Sequence, residues 1–211
     1  MEILTLMCFR KASLPRDSIV SRACWLTSKT IALMALIGFL AGANRGFGAE
    51  TSLTEYQVKS LFLLNFSKYV DWPSNAFATA NDPIVIGVIG GGGDGKFTSE
   101  LAKTVEAKNV EGHPIQVRQI PTPEDLDKCH ILFIRSSEKT RLGEVLDRLK
   151  TRPVLTVSEI DEFLEQGGAI NFVKKEGKIR LEINLDAARQ ANLQISSKLL
   201  KVADVVKGKL K

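Results

Sequence analysis

Lys178-Ile179-Arg180-Leu181-Glu182-Ile183-Asn184 alternates polar and apolar residues without a break. Ile179, Leu181 and Ile183 fall on one face, and Lys178, Arg180, Glu182 and Asn184 on the other, which is the period-2 pattern of a half-buried strand. Just upstream, Gly167-Gly168-Ala169-Ile170-Asn171-Phe172 puts Ile170 and Phe172 on one face of a second short strand. Between them, Lys174-Lys175-Glu176-Gly177 is a polar turn with a glycine available for positive φ, so the two strands read as an antiparallel hairpin. Downstream, Asp186 is expected to cap a short helix, and Ser196 or Ser197 a second one. Leu199, Leu200, Ala203 and Val206 recur at helical spacing in that second helix, which is expected to seal one sheet face. The other face carries the ordered polar row.

Moving back along the chain, Thr54-Glu55-Tyr56-Gln57 has the form of a capping box, with Thr54 as cap and Gln57 completing it. Val58, Leu61, Phe62, Leu64, Phe66, Tyr69 and Val70 then cover more than one helical face, so this helix is expected to be largely buried. It ends before Pro73, because a residue preceding proline avoids the α region. Ile84-Val85-Ile86-Gly87-Val88-Ile89 is a continuous apolar run, as a strand buried on both faces requires. Helix 95–107, strand 115–120, a short helix at 123–126, strand 129–134, helix 138–150, strand 154–157 and a helix from Glu159 to Leu164 complete the expected alternation. Strand alternating with helix calls for a mostly parallel sheet covered on both sides. The expected fold is α/β: a single three-layer domain with a mixed, mostly parallel sheet, a C-terminal antiparallel hairpin and a packing helix.

Residues 1–49 read as a secretory signal peptide, with 50–211 as the domain. Arg10, Lys11, Arg16, Arg22 and Lys29 precede an apolar run from Thr30 to Ala43, followed by small residues around Ala43 and Gly48-Ala49 where cleavage is expected. The run is shorter than the ~20 residues a membrane-spanning helix needs. Its long basic region also suits a start codon downstream of Met1. Six of the 29 Lys+Arg and two of the 24 Asp+Glu lie in 1–49, which leaves 23 against 22 in the remainder. The basic balance belongs to the leader and is no evidence for nucleic-acid binding. Cys8 and Cys24 also lie there, so the remainder keeps Cys129 alone and has no internal disulfide.

Candidate chemistry is thin. Gly90 to Lys96 fits G-x-x-x-x-G-K, but Phe97 stands where the magnesium-binding hydroxyl belongs, and nucleotide triphosphates are foreign to an exported protein. His113 and His130, the chain's two histidines, lack a spaced set of metal partners. Cys129 on an apolar strand reads as an inert buried thiol. There is no G-x-S-x-G elbow and no carboxylate pair set out as acid and base. No catalytic residue, metal or cofactor is therefore expected, and an enzyme is not the expected class. The Asp71-Trp72-Pro73 corner has two readings, a plug for the core or a binding surface of the kind tryptophan favours.

Several stretches together resemble the YfiR-like family of exported bacterial proteins. They are Leu64-Asn65-Phe66-Ser67-Lys68-Tyr69-Val70-Asp71-Trp72-Pro73, Asp127-Lys128-Cys129-His130-Ile131-Leu132-Phe133-Ile134, Val154-Leu155-Thr156-Val157-Ser158, Gly167 to Phe172, Ile183-Asn184-Leu185-Asp186-Ala187-Ala188, and Leu193-Gln194-Ile195-Ser196-Ser197-Lys198-Leu199-Leu200. The resemblance implies a non-enzymatic periplasmic regulator. Its namesake restrains an inner-membrane diguanylate cyclase by binding the periplasmic portion, which lowers cyclic di-GMP and biofilm formation. An outer-membrane lipoprotein with a peptidoglycan-binding domain can sequester that regulator. Homodimers are common in the family, and the cysteine of the Cys129 motif often has a disulfide partner there. Here the preceding strand offers Gly87, so Cys129 is expected to be free.

Docking needs an aromatic patch and polar groups to set register. The expected contact residues are Tyr69, Asp71, Trp72 and Pro73, together with Arg180, Glu182, Asn184 and Ser196, and the two groups are expected to lie near each other. The alternative from another class is a periplasmic sensor that binds a small ligand near the glycine loop and reports to a membrane protein.

Overall fold

The structure, a computed structural model, describes residues 53–91 and 95–206; the expected leader with its cleavage sites, and the middle of the glycine run, lie outside them. In chain order the elements are α1 (Glu55–Tyr69), β1 (Val70–Asp71), β2 (Ile84–Ile89), α2 (Lys96–Val105), β3 (Asn109–Val110), β4 (His113–Ile120), β5 (Ile131–Ile134), α3 (Leu142–Leu149), β6 (Leu155–Ser158), β7 (Ile170–Lys175), β8 (Lys178–Asn184), α4 (Leu185–Gln190), β9 (Gln194–Ile195), α5 (Ser197–Leu200) and β10 (Asp204–Val206). Short 3-10 segments sit at Ser74–Ala76, Pro123–Lys128 and Ser136–Arg141. Thr54 and Gln57 exchange both bonds of the capping box that opens α1.

The apolar run β2 is buried along its whole length. It lies parallel to β4 on one side and β5 on the other. β6 and β7 continue the parallel run, and β8 turns back antiparallel with Phe172 opposite Leu181. The complete order is β10-β8-β7-β6-β5-β2-β4-β3, and β1 with β9 forms a separate antiparallel pair. Helices cover both faces. Leu63 and Phe66 of α1, Phe97 and Leu101 of α2, and Leu199 of α5 pack on Ile86, Val88, Phe133, Ile170, Phe172, Leu181 and Ile183. On the other face, Leu142, Val145, Leu146 and Leu149 of α3 pack on Val85, Ile89, Leu132 and Ile134. The three-layer α/β domain with a mostly parallel sheet and an antiparallel hairpin is as expected.

Four local expectations are corrected. Residues 159–164 form turns and no helix: Phe163 and Leu164 are buried, Glu162 takes φ 63°, and Gly168 donates back to the Phe163 carbonyl. A side chain at Gly168 would strike the Phe163 ring at 2.2 Å, so this glycine is needed for close approach. The cap of α4 is Asn184, whose side chain accepts from the amides of Asp186 and Ala187, and not Asp186. The C-terminal helix is one turn long; beyond Leu200 the chain straightens into β10 and pairs in parallel with β8. Pairing a sheet edge satisfies backbone groups that a longer helix would leave open on β8. Consequently α1, rather than the C-terminal helix, is the main cover of that sheet face.

Candidate interaction site

Where α1 runs out, the backbone is caught by a two-residue ladder. Val70 pairs with Ile195 and Asp71 with Gln194, and the Ser196 amide donates to the Tyr69 carbonyl at 2.9 Å. This ladder brings Tyr69, Asp71 and Ser196 together. Asp71 stays exposed while Tyr69 and Ser196 are half-buried, and the Ser196 hydroxyl accepts from the Lys198 amide as the cap of α5. Trp72 follows, half-buried against the core, with its indole N–H donating to the His130 carbonyl at 3.3 Å. Trp72 therefore packs on the core without being fully buried by it. Pro73 then starts the 3-10 turn, with the Ala76 amide donating to its carbonyl.

The segment beyond Trp72 is clamped by the two histidines. Phe77 stacks on His113 at 4.2 Å and 26°, and on His130 at 4.6 Å and 14°. His130 Nδ1 accepts from the Val85 amide at 3.1 Å, and its Nε2 donates to the Ala76 carbonyl at 3.1 Å. Burial is the main reason that the His130 pKa lies below the usual histidine value. His113 Nδ1 faces the Asp82 carbonyl at 2.6 Å and must therefore donate. Asp82 in turn accepts from the amides of Ala78 and Thr79 and from the Thr79 hydroxyl, contacts that hold its carboxyl below the ordinary aspartate range. Sequence reasoning weighed these histidines only as metal ligands. The signal it missed was the pairing of two histidines with one isolated aromatic, Phe77.

Of the second predicted group, Ser196 alone joins the corner, and the other three residues lie elsewhere. Arg180 pairs with Val173, and Glu182 with Asn171, on the far side of β7. Register and strand order put Arg180 six residues along and three strands over from His130, roughly 25 Å at ordinary sheet spacings. Proximity between the Trp72 corner and Arg180 is therefore not found. Arg180 is exposed, beside an edge cluster in which Lys175 donates to Glu182 at 3.0 Å and Asp204 at 3.1 Å. Those two carboxylates raise the Lys175 pKa. Asn184 is no surface residue at all: it is 1% exposed, and its side-chain amide donates to the Leu164 carbonyl while its oxygen caps α4.

At the opposite end of the sheet, the loops after β2 and β5 diverge to helices on different faces, the topological switch point where α/β folds commonly bind ligands. The described part of the glycine run is engaged by the protein itself. Gly91 donates to Ser137 Oγ at 2.9 Å, and the Gly90 carbonyl accepts from Gln119 at 3.1 Å. Arg135 lies over the Tyr56 and Phe97 rings and donates to the Tyr56 hydroxyl. Phe97 is 1% exposed and points into the core, and residues 92–94 of the motif lie outside the described residues. Nearby, Lys59 is 4% exposed and bonds both Glu55, its i,i+4 neighbour, and Glu159 at 2.5 Å; the tertiary bond to Glu159 is the one that no local pattern announced. Cys129 is 5% exposed and free, and desolvation pushes its pKa up to about 11, so the thiolate form is suppressed.

The architecture is that of a three-layer α/β domain with an open, mixed sheet. The chain belongs to the YfiR/HmsC-like family, whose model (DUF4154: YfiR/HmsC-like) matches residues 56–204. Members of this family are regulatory rather than catalytic proteins. Comparison with curated proteins finds no match. Among solved structures, a conserved domain protein from Vibrio cholerae is similar at 13% identity and TM-score 0.50 over 74% of this chain; the match covers 61% of that protein. The ABC domain in complex with L-Trp from Streptococcus pneumonia matches at 12% identity and TM-score 0.43, over 58% of this chain and 55% of that one. Among the described residues no helix is long and apolar enough to cross a membrane.

Proposed function

We propose that this chain is a periplasmic regulator that docks on the periplasmic portion of an inner-membrane diguanylate cyclase and restrains it, lowering cyclic di-GMP and biofilm formation. The observation that carries the reading is the family match across residues 56–204. Residues 1–49 serve as the export signal, and 50–211 as the regulatory domain. The docking surface is the corner Tyr69-Asp71-Trp72-Pro73 with Ser196, where an aromatic ring and an exposed carboxylate sit on backbone pinned by the β1–β9 ladder. Pinning favours affinity, because a preorganised surface loses little entropy on binding. Arg180 and Glu182 belong to a separate charged edge, available to a second copy of the chain or to an outer-membrane lipoprotein that relieves the restraint.

Cellular cyclic di-GMP, measured with and without the gene, tests the reading. Deletion raises it, and a copy with its leader restores it while a copy lacking 1–49 does not. An unchanged level on deletion overturns the proposal. A second reading, a small-ligand sensor, draws on a cleft of about 370 Å³ floored by Val154, Thr156, Ala169 and Asn184 between α3 and α4, rather than on the glycine loop. A metabolite that raises the melting temperature would favour it by mass action.

A further inference from the structure

We propose that His130, Phe77 and His113 form a proton-operated latch that holds the Trp72–Ala78 segment in its docking shape and releases it in mild acid. The inference rests on the docking role given above to the Trp72 corner, and concerns how that corner is regulated.

The latch follows from the two different tautomers the contacts demand. A backbone N–H only donates and a carbonyl only accepts. His130 must therefore carry its proton on Nε2, toward the Ala76 carbonyl, and present a bare Nδ1 to the Val85 amide. His113 must carry its proton on Nδ1, toward the Asp82 carbonyl. A second proton on His113 goes to Nε2 and leaves that hydrogen bond intact. On His130 the second proton has only Nδ1 to occupy, where it points at another N–H. The Val85 bond is then lost, a buried amide is left without its acceptor, and the ring must move.

Movement of that one ring reaches the docking corner by three routes. The Ala76 carbonyl at the end of the 3-10 turn loses its donor. Phe77 loses one of its two stacked partners. The Trp72 indole stands edge-on to the same ring, 6.2 Å away at 81°, and is bonded to the carbonyl of the same residue. The charged and titratable groups that face the His130 ring are His113, whose charge opposes protonation, and Asp82, whose charge favours it. Burial, aided by the His113 charge, outweighs the Ala76 bond and Asp82 and holds the neutral form. The unfolded chain therefore takes up this proton first. The contribution of His130 to stability is whole above the ordinary histidine value of about 6.5, and is lost as pH falls from there through the lower folded value.

Two histidines make the test direct, because a proton spectrum carries only two imidazole C2–H titrations. In the full chain with Trp25→Phe, Trp72 is the sole tryptophan. One imidazole is expected to titrate below about 6.5, and Trp72 emission to shift to the red with the same midpoint. His130→Asn, which keeps an acceptor near the Val85 amide, is expected to abolish the emission shift, and His113→Asn to retain it. Two imidazoles titrating at or above the ordinary value overturn the latch on the unmodified rings alone, whether or not a variant folds. So does an emission shift that persists in His130→Asn, or a low titration that leaves Trp72 silent. No partner enters these measurements, so the latch and the cyclase reading fail or stand separately.

Discussion

Adding one carbon at Gly87 is expected to destabilise the domain by about 2 kcal/mol, the balance of two opposed effects. Gly87 lies in the middle of the central strand β2, facing the second core cluster. A Cβ built there falls 2.4 Å from Cys129 Sγ, 3.1 Å from Ile120 Cγ1 and 3.2 Å from Leu132 Cδ1. The sulfur contact is about an ångström inside the normal range, and both strands are central, so relief has to come from backbone or core shifts costing up to about 3 kcal/mol. Against this, alanine lowers the entropy of the unfolded chain, a gain of at most about 1 kcal/mol. Cys129→Ala alone removes a buried sulfur and is expected to cost about 1 kcal/mol. In the double variant the new methyl occupies the space the sulfur left, so the pair should cost about 1 kcal/mol rather than the roughly 3 that addition predicts. Urea unfolding of the four proteins, read at constant m-value, measures the cycle. A neutral Gly87→Ala, or a strictly additive pair, refutes the reasoning. The same geometry predicts that Gly87→Cys forms a disulfide with Cys129 under oxidising conditions, seen as a mass loss of two hydrogens.

Two further substitutions separate buried polar groups from surface ones. Asn184→Ala should cost about 2–3 kcal/mol, since it removes the cap of α4 and leaves the buried Leu164 carbonyl without its donor; a change under ~0.5 kcal/mol would return Asn184 to the surface. Lys59→Met should cost about 2–3 kcal/mol, less than a fully buried pair, because Glu55 is 45% exposed and can be rehydrated while Glu159, at 17%, cannot. Adding Glu159→Gln should recover part of that loss, and no recovery would assign the cost to packing of the lysine stem instead. Glu55 has its pKa lowered mainly by the Lys59 bond, so its contribution is present above the ordinary carboxylate range and fades as pH falls through the lowered value.

The strongest local signals of the chain are formed. The capping box at Thr54 and Gln57, the all-apolar β2 and the alternation of β8 are each decided within a few residues, and each is present. The failures are tertiary. Leu199, Leu200, Ala203 and Val206 carry a helical period, yet the open edge of β8 draws the last three described residues into a strand. Asn184 continues a polar row on paper, but its place at the end of β8, under Leu164, turns it into a buried cap. Trp72 and Arg180 are natural partners in a list of polar and aromatic residues; register and strand order together set them far apart, and no single-sequence pattern encodes either. Likewise Phe77 lies far in sequence from both His113 and His130, so its clamp exists only once β2, β4 and β5 are aligned.

The half-buried state of Trp72 determines how the docking surface has to be tested. Trp72→Ala removes packing against the core and the bond to the His130 carbonyl, at a cost of about 2–3 kcal/mol, somewhat below that of a fully buried tryptophan. Loss of regulation in that variant therefore mixes docking with stability. Asp71 is the cleaner probe. It is exposed, its backbone is already fixed by the ladder to Gln194, and Asp71→Ala should leave stability within ~0.5 kcal/mol. If the corner docks, that variant should nevertheless lose about tenfold or more in partner affinity and raise cyclic di-GMP toward the deletion level. Arg180→Ala is the matched control, also exposed and remote from the corner. Cyclic di-GMP raised by Arg180→Ala and left unchanged by Asp71→Ala would move the docking surface to the Lys175–Glu182–Asp204 edge. Were both variants silent at full stability, neither face would be the one that meets the cyclase.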